Sequence, residues 1–515
     1  MSLPHLNPLN IPEIIALVGR YTKERQEVDL WGPSKTHTKE LFSLTLVSKT
    51  WHAALIPVLW ESYNGNKMIR VPNDVITKYS PHFRTIINFK HSGPLTCTKV
   101  KKIEIGYNNI PEAWLLQQPL PRLTAVSWQG SSRMWGSTME LDLSEPSDDK
   151  ENEIPGNDPD TPTIRLSMLP TNLSSLELHQ CSISNMPSFL QLLTRFSKLS
   201  RLSLAVSADW ESLISIDEEY LTPTPLLIAV KHLHLDFTKH SGNGALSIIS
   251  HCPHLEKLKI VGSWVSLKRF YRRTPFYKFS PSLRDLDIDS IGFYDQHNVY
   301  NGPDGDDLAT LIHDLTGAKM PETGKLRSIR VKLAGFNSNS SDAISMHGEN
   351  LESLELELAN IQKISGGKNN GLNNLEEDQE NLIFEGIRNI LTKSSRLKYL
   401  SIRHDYYRAQ GCGDQAKLLF RDPWPCSNKL QELDISLPPS RDSKERVMDD
   451  IQADYEDDHG GPCIWRAESK IRLENSLENL IFENVRQMPQ LWRLKLNKVR
   501  IFKIKSYEKK PEFIS

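Results

Sequence analysis

Leu255-Glu256-Lys257-Leu258-Lys259-Ile260, led in by His251-Cys252-Pro253-His254, is the stretch that decides the fold. It reads apolar-x-x-apolar-x-apolar: a turn, then a short alternating strand whose every second side chain faces one side. The same phrase begins again at Leu173, Leu199, Val230, Leu283, Leu326, Leu351, Leu397, Leu430 and Leu491, with neighbouring starts 25 to 61 residues apart. Imperfect copies stand at Val100-x-x-Ile103-x-Ile105 and Leu120-x-x-Leu123-x-x-Val126. A unit recurring at this spacing cannot bury its apolar side alone and must stack on its neighbours.

The totals agree. A chain of 515 residues exceeds what one compact core serves, and 38% hydrophobic with 24% charged residues suits a folded, water-facing surface. The formal net charge of −2 provides no global field toward nucleic acid or an anionic membrane, and neither is expected as a partner. Six cysteines lie apart with no Cys-x-x-Cys pair, which fits a reducing compartment, cytoplasmic or nuclear. Met1 to Asn10 has no basic segment ahead of an apolar run, so no secretory leader is expected, and no uninterrupted apolar stretch suggests a membrane span.

The shorter spacings match a leucine-rich repeat, one strand and one helix per unit, with a parallel sheet on the concave side and helices outside. Helix-like runs fall between phrases at Met186 to Phe196, Gly244 to Ser250, Asp307 to Thr316, Asn381 to Thr392 and Glu474 to Gln487. The longer spacings hold polar insertions near 144–163, 366–379 and 438–461, expected as loops.

If the leucines point inward, the residues between them can be read off. Lys257 and Lys259 face outward from one strand, Asp285, Asp287 and Asp289 from the next, then Arg330 and Lys332, then Glu355 and Glu357, then Arg403 beside Tyr399. Glu432 and Asp434, and then Arg493 and Lys495, continue the series. The sign alternates from strand to strand, so neighbours about 4.8 Å apart can neutralise one another. This predicts striped charge rather than the single sign of a nucleic-acid track. Upstream, Glu177, His179, His232, His234 and Asp236 face the same way. His232-x-His234-x-Asp236 puts its side chains about 7 Å apart, too far for a metal site without other ligands.

Lys268-Arg269-Phe270-Tyr271-Arg272-Arg273 reads as a solvated helix, and Arg403-His404-Asp405-Tyr406-Tyr407-Arg408 as a rim loop that could contact a partner. Asp306 or Asp307 is expected to cap a helix starting near Leu308. No nucleophile elbow, phosphate-cradling glycine loop or His-Glu-x-x-His is present, so no catalytic, cofactor or metal residue is assigned.

Three short helices precede the repeats. The first is expected within Asn10 to Gly19, with Pro12 in its first turn and Glu13 at the positive end of its dipole. Residues 22–40 read as a loop, Leu41 to Trp51 as a second helix, and His52 to Trp60 as a third. Residues 64–98 read as a connector. The quoted residues Ile11-Pro12-Glu13-Ile14-Ile15, Leu41-x-x-Leu44-x-x-Val47-Ser48-Lys49-x-Trp51 and Leu55-x-x-x-Leu59-Trp60 resemble the F-box, which opens on Leu-Pro-x-Glu, carries Val-Ser-Lys-x-Trp and closes on Leu-Trp. His251-Cys252-Pro253-His254-Leu255 is similar to the Cys-Pro-x-Leu junction of leucine-rich repeats in such proteins.

The expected organisation is α/β: a three-helix F-box at 9–63, a connector at 64–98, an irregular leucine-rich-repeat solenoid with a parallel concave sheet at 99–505, and a tail at 506–515. The resemblance implies a non-catalytic, substrate-recognition subunit of an SCF-type cullin ubiquitin ligase, without cofactor. Its helices would dock on a Skp-family adaptor, and through it a cullin, by Pro12, Glu13, Ile14, Leu41, Leu44, Val47, Ser48, Trp51, Leu59 and Trp60. The repeats would take a protein client, with Lys257, Lys259, Asp285, Asp287, Arg330, Lys332, Glu355, Glu357, Arg403, Tyr406 and Tyr407 as candidate contacts. A scaffold with no ligase link, or a GTPase regulator on the same fold, is the alternative.

Overall fold

The computed structural model describes residues 11–24, 35–90, 95–106, 120–129, 139–142, 164–166, 169–182, 186–206, 226–237, 247–262, 282–290, 293–294, 300–301, 305–316, 325–333, 336–358, 373–404, 417, 419–435, 480–481, 483–485, 487–496, 500–505 and 512–514. The chain divides into two units, Met1–Ser207 and Ala208–Ser515. Among the described residues no helix is long and apolar enough to cross a membrane.

The first unit opens with helices α1 (Pro12–Glu24), α2 (Lys35–Thr45) and α3 (Lys49–Leu59), closed around Ile15, Leu41, Leu55 and Val58. The second and third helices part at 46–48, not between Trp51 and His52 as expected. Ser48 is the reason: its backbone is extended and its side chain accepts from the Trp51 N–H at 3.2 Å, so it caps α3. Strand β1 (Ser62–Asn64), helix α4 (Asn73–Tyr79) and strands β2 (Thr85–Ile87), β3 (Lys102–Ile105) and β4 (Ala125–Gln129) follow. Then come β5 (Met139–Asp142), β6 (Ile164–Arg165), β7 (Ser175–Ser182), helix α5 (Met186–Thr194) and β8 (Arg201–Val206). β1, β2, β3, β4, β7 and β8 pair in that order, all parallel; β5 pairs with β7 and with β6.

Residues 64–98 therefore contribute rungs rather than a connector. Trp60 stacks on Tyr79 with ring centroids 4.5 Å apart, and Tyr63 packs against Phe83 and Phe89 at 5.4 and 5.7 Å. This aromatic run fixes the helical module to the first strands. An Arg84–Glu61 ion pair of 3.2 Å lies beside it.

The second unit carries strands β9 (His232–Phe237), β10 (Lys257–Gly262) and β11 (Asp285–Ser290), the small antiparallel pair β12 (Phe293–Tyr294) and β13 (Tyr300–Asn301), and helix α6 (Gly305–Thr316). It continues with β14 (Ser328–Leu333), α7 (Ser338–Ser345), β15 (Ser353–Leu358), α8 (Asn373–Lys393), β16 (Tyr399–His404), β17 (Glu432–Ile435), β18 (Arg493–Leu496), β19 (Arg500–Lys505) and β20 (Glu512–Ile514). β9, β10, β11 and β14 to β18 form one parallel ladder in sequence order. β19 and β20 add antiparallel, so part of the expected tail is a strand covering the last edge. α8 begins at Asn373, inside the insertion expected as a loop; the insertions at 144–163 and 438–461 lie outside the described residues.

All ten clear phrase starts are buried, each at 2% exposure or less. One backbone device repeats at every rung: a carbonyl just ahead of one strand accepts two successive N–H groups of the next. Lys231 accepts from Glu256 and Lys257, Glu256 from Arg284 and Asp285, Arg284 from Arg327 and Ser328, and Glu352 from Lys398 and Tyr399. The leucines settle which face is inside and this pairing settles the rank, so outward residues stand opposite one another across the sheet.

Behind the strands, α6 packs on α7 and α7 on α8. Asp306 does not cap α6, which starts at Gly305. Its carboxylate accepts from Asn339 and Asn337 at 2.7 and 2.8 Å, and those bonds hold it below the usual carboxylate range. His347 is fully buried after α7, and its Nδ1 accepts from the Leu326 N–H at 3.3 Å. Burial, aided by the charge of His313, pushes its pKa down to about 4 from 6.5. Below pH 6.5 the unfolded chain takes a proton that the folded one refuses, so stability is lost as pH falls from 6.5 toward 4. Urea unfolding should show wild type losing about 2 kcal/mol more than His347→Asn between pH 7.5 and 5. Parallel profiles for the two would contradict this.

Candidate functional site

Two surfaces collect the residues singled out from the sequence, one in each unit. The first is the sheet face of the second unit that the leucines leave open. Lys259, Asp287, Arg330, Glu355, Ser401, Asp434 and Lys495 stand in one rank, strand by strand from β10 to β18. Asp287 lies 4.0 Å from both Lys259 and Arg330, and Arg330 reaches Glu355 at 3.4 Å. The alternation would fail at Ser401, which leaves Glu355 and Asp434 as neighbouring acids. Arg403, one pleat further along β16, reaches back and meets each of them at 3.3 Å. Lys495 closes the series on Asp434 at 3.6 Å. The expected stripes are thus a continuous chain of ion pairs, flanked by Lys332–Glu357 at 2.8 Å and Arg493–Glu432 at 3.1 Å.

The acids and bases occupy different depths. The side chains of Asp287, Glu355 and Asp434 are only 11–18% exposed, against 20–48% for Lys495, Arg403, Lys259 and Arg330. Short carboxylates sit at the sheet; long cationic stems lean over them. Burial raises the Asp287 pKa, and Arg330 and Lys259 only partly offset it at their distances. Lys257 is exposed and Asp285 half-buried, with Ser328, Ser353 and Tyr399 continuing their rank as uncharged members. Tyr406 and Tyr407 lie outside the described residues, as does the basic run at 268–273. Asp434 and Lys495, absent from the contact candidates, complete the series.

The second surface belongs to the three helices. Pro12, Glu13 and Ile14 are exposed on α1, and Val47 and Ser48 are exposed between α2 and α3. Leu41 is a core residue; Leu44, Trp51 and Leu59 pack partly against that core, and Trp60 is taken up by its stack on Tyr79. Of the ten candidates, then, only the first three and the Val47-Ser48 pair are open to a partner. Others were missed. Leu17, Tyr21, Phe42 and Leu46 are each more than half exposed, and Ile14, Val18 and Val47 are exposed apolar side chains of the same helices and the turn after α2. Ile14, Leu17, Val18 and Tyr21 recur at helical spacing, the pattern that ordinarily marks a core face. The buried face of α1 is instead Ile15 and Gly19.

Among the described residues no group of three or more His, Cys, Asp and Glu could hold a metal ion. Buried Cys97, Cys252 and Cys426 have thiols that burial pushes up to about 11, 12 and 11, so none is a thiolate near neutrality. A scan against models of protein families finds no match, and a search of curated proteins likewise finds none.

The distances to their cations separate the roles of the two aspartates. Asp434 holds Arg403 and Lys495 at 3.3 and 3.6 Å, whereas both cations of Asp287 stand at 4.0 Å and compensate its burial only in part. Asp434→Asn should cost roughly 1–3 kcal/mol in urea unfolding at pH 7, with Asp287→Asn within about 0.5 kcal/mol of wild type or above it. Equal losses would contradict this distance argument.

Proposed function

We propose that the chain is the substrate-recognition subunit of an SCF-type ubiquitin ligase, built from an F-box and leucine-rich repeats. The observation that carries this reading is the uncovered apolar face of α1 and α2 on a module locked to the following strands. An apolar area of that kind on a soluble protein calls for a partner. The resemblance of Pro12-Glu13, Val47-Ser48-Lys49-Thr50-Trp51 and Leu59-Trp60 to the F-box names a Skp-family adaptor, and through it a cullin. The open sheet face, polar and rigid, is the complementary feature of a client receptor. The chain performs no bond chemistry in this reading. It raises the effective concentration of client lysines at a ubiquitin-charged enzyme held elsewhere in the assembly.

The test is capture of the purified chain on a Skp-family adaptor. Leu17→Asp and Leu46→Asp alter exposed side chains and should leave the fold intact. Each should weaken capture by about tenfold or more, the effect expected of a central apolar contact. Folded wild type that is not retained by the adaptor would remove the ligase reading and leave the helices as a cap on a scaffold.

A further inference from the structure

Along the ion series of the second unit, acidic and basic members differ in depth and also in pitch. Lys259, Arg330, Arg403 and Lys495 are carried by β10, β14, β16 and β18, with β11, β15 and β17 between them. The protruding cations therefore recur on every second strand, about 9.6 Å apart. Each guanidinium has five N–H donors, and the described contacts of Arg330 and Arg403 do not use them all. Beside the row, Ser353 and Tyr399 present hydroxyl-bearing, uncharged side chains. The row is thus a track of cationic ends that at Lys259, Arg330 and Arg403 rise above the recessed acids, with Lys495 lower at its end.

We propose that this row binds an extended acidic segment of a client protein, crossing the strands, with an Asp or Glu at every third position. In polyproline II conformation three residues advance about 9.3 Å and bring the same face round again, which matches the cation pitch. Each client carboxylate shares a cation already held by a recessed acid, so the row is preorganised and no side chain must be ordered on binding. Nucleic acid does not suit the surface: recessed acids alternate with the cations along the row and Lys332–Glu357 and Arg493–Glu432 pairs flank it, so no continuous stretch of one sign meets a polyanion. The word client rests on the ligase reading; the contact itself does not involve the helical module.

Fluorescence anisotropy with the full chain and no adaptor tests this directly. Two short acidic peptides of equal composition are compared, one with an acid at every third residue and one with the same acids in a block. The spaced peptide should bind at least about tenfold more tightly, and more weakly as salt rises. Arg330→Gln should lower that affinity about tenfold, Arg330→Lys should retain most of it, and Arg493→Gln, off the row, should leave it unchanged. Thermal unfolding of each variant checks the fold; if Arg330→Gln is unfolded, Lys259→Gln, whose carboxylate partner is 4.0 Å away, takes its place with the same expectation. Equal binding of the two peptides overturns the proposal, as does an oligonucleotide of equal charge that binds as tightly. Either outcome leaves the adaptor measurement intact, because that measurement reads only the helices.

Discussion

The rank-on-rank pairing of parallel strands is the constraint on which the rest of the second unit depends. A single carbonyl ahead of each strand takes two N–H groups of the next, and buried leucines leave only one face outward. Every outward charge is then held about 4.8 Å from its neighbours' outward residues. Like charges in that position repel, so a stable sequence alternates sign or interposes an uncharged residue. Ser401 is the informative exception. It stands where the alternation calls for a cation between Glu355 and Asp434, and Arg403 of the same strand compensates both. The ladder stabilises little by its exposed ends.

The same constraint explains what could be read from the sequence. Lys259, Asp287, Arg330 and Glu355 were placed correctly because a strand's periodicity of two leaves no freedom once the leucines are assigned. The closure through Asp434 and Lys495 depends on how far Arg403 reaches, and side-chain reach is not written in periodicity. The helices were less legible. Leu41 to Trp51 carries apolar residues at helical spacing across a real break, because the Ser48 cap competes with periodicity and wins. Ile14, Leu17, Val18 and Tyr21 form a stripe that reads as core and faces out. Residues 64–98 have too little pattern to announce strands of three residues, whose place is set by Trp60, Tyr63, Phe83 and Phe89 meeting across the chain.

Two surfaces of opposite character follow. The face of α1 and α2 is apolar and uncovered, and its natural counterpart is a preformed protein groove or helix. The sheet face is polar, neutralised within itself and cationic at its tips, and in the proposed reading it selects a client by charge pattern rather than by burial of apolar area. The proposed receptor, which would hold one constant partner and select among others, has use for both kinds of contact. The fully buried His347 and the three buried thiols contribute to neither surface; they belong to the packing that keeps the strands in rank.

Amide hydrogen exchange of the full chain, with and without a Skp-family adaptor, tests the central claim most directly. Slowed exchange confined to residues 11–24 and 41–48, with the strands from Lys257 to Leu496 unchanged, is the predicted result. No slowing in the helices, or slowing across the open sheet face instead, would contradict the division of labour.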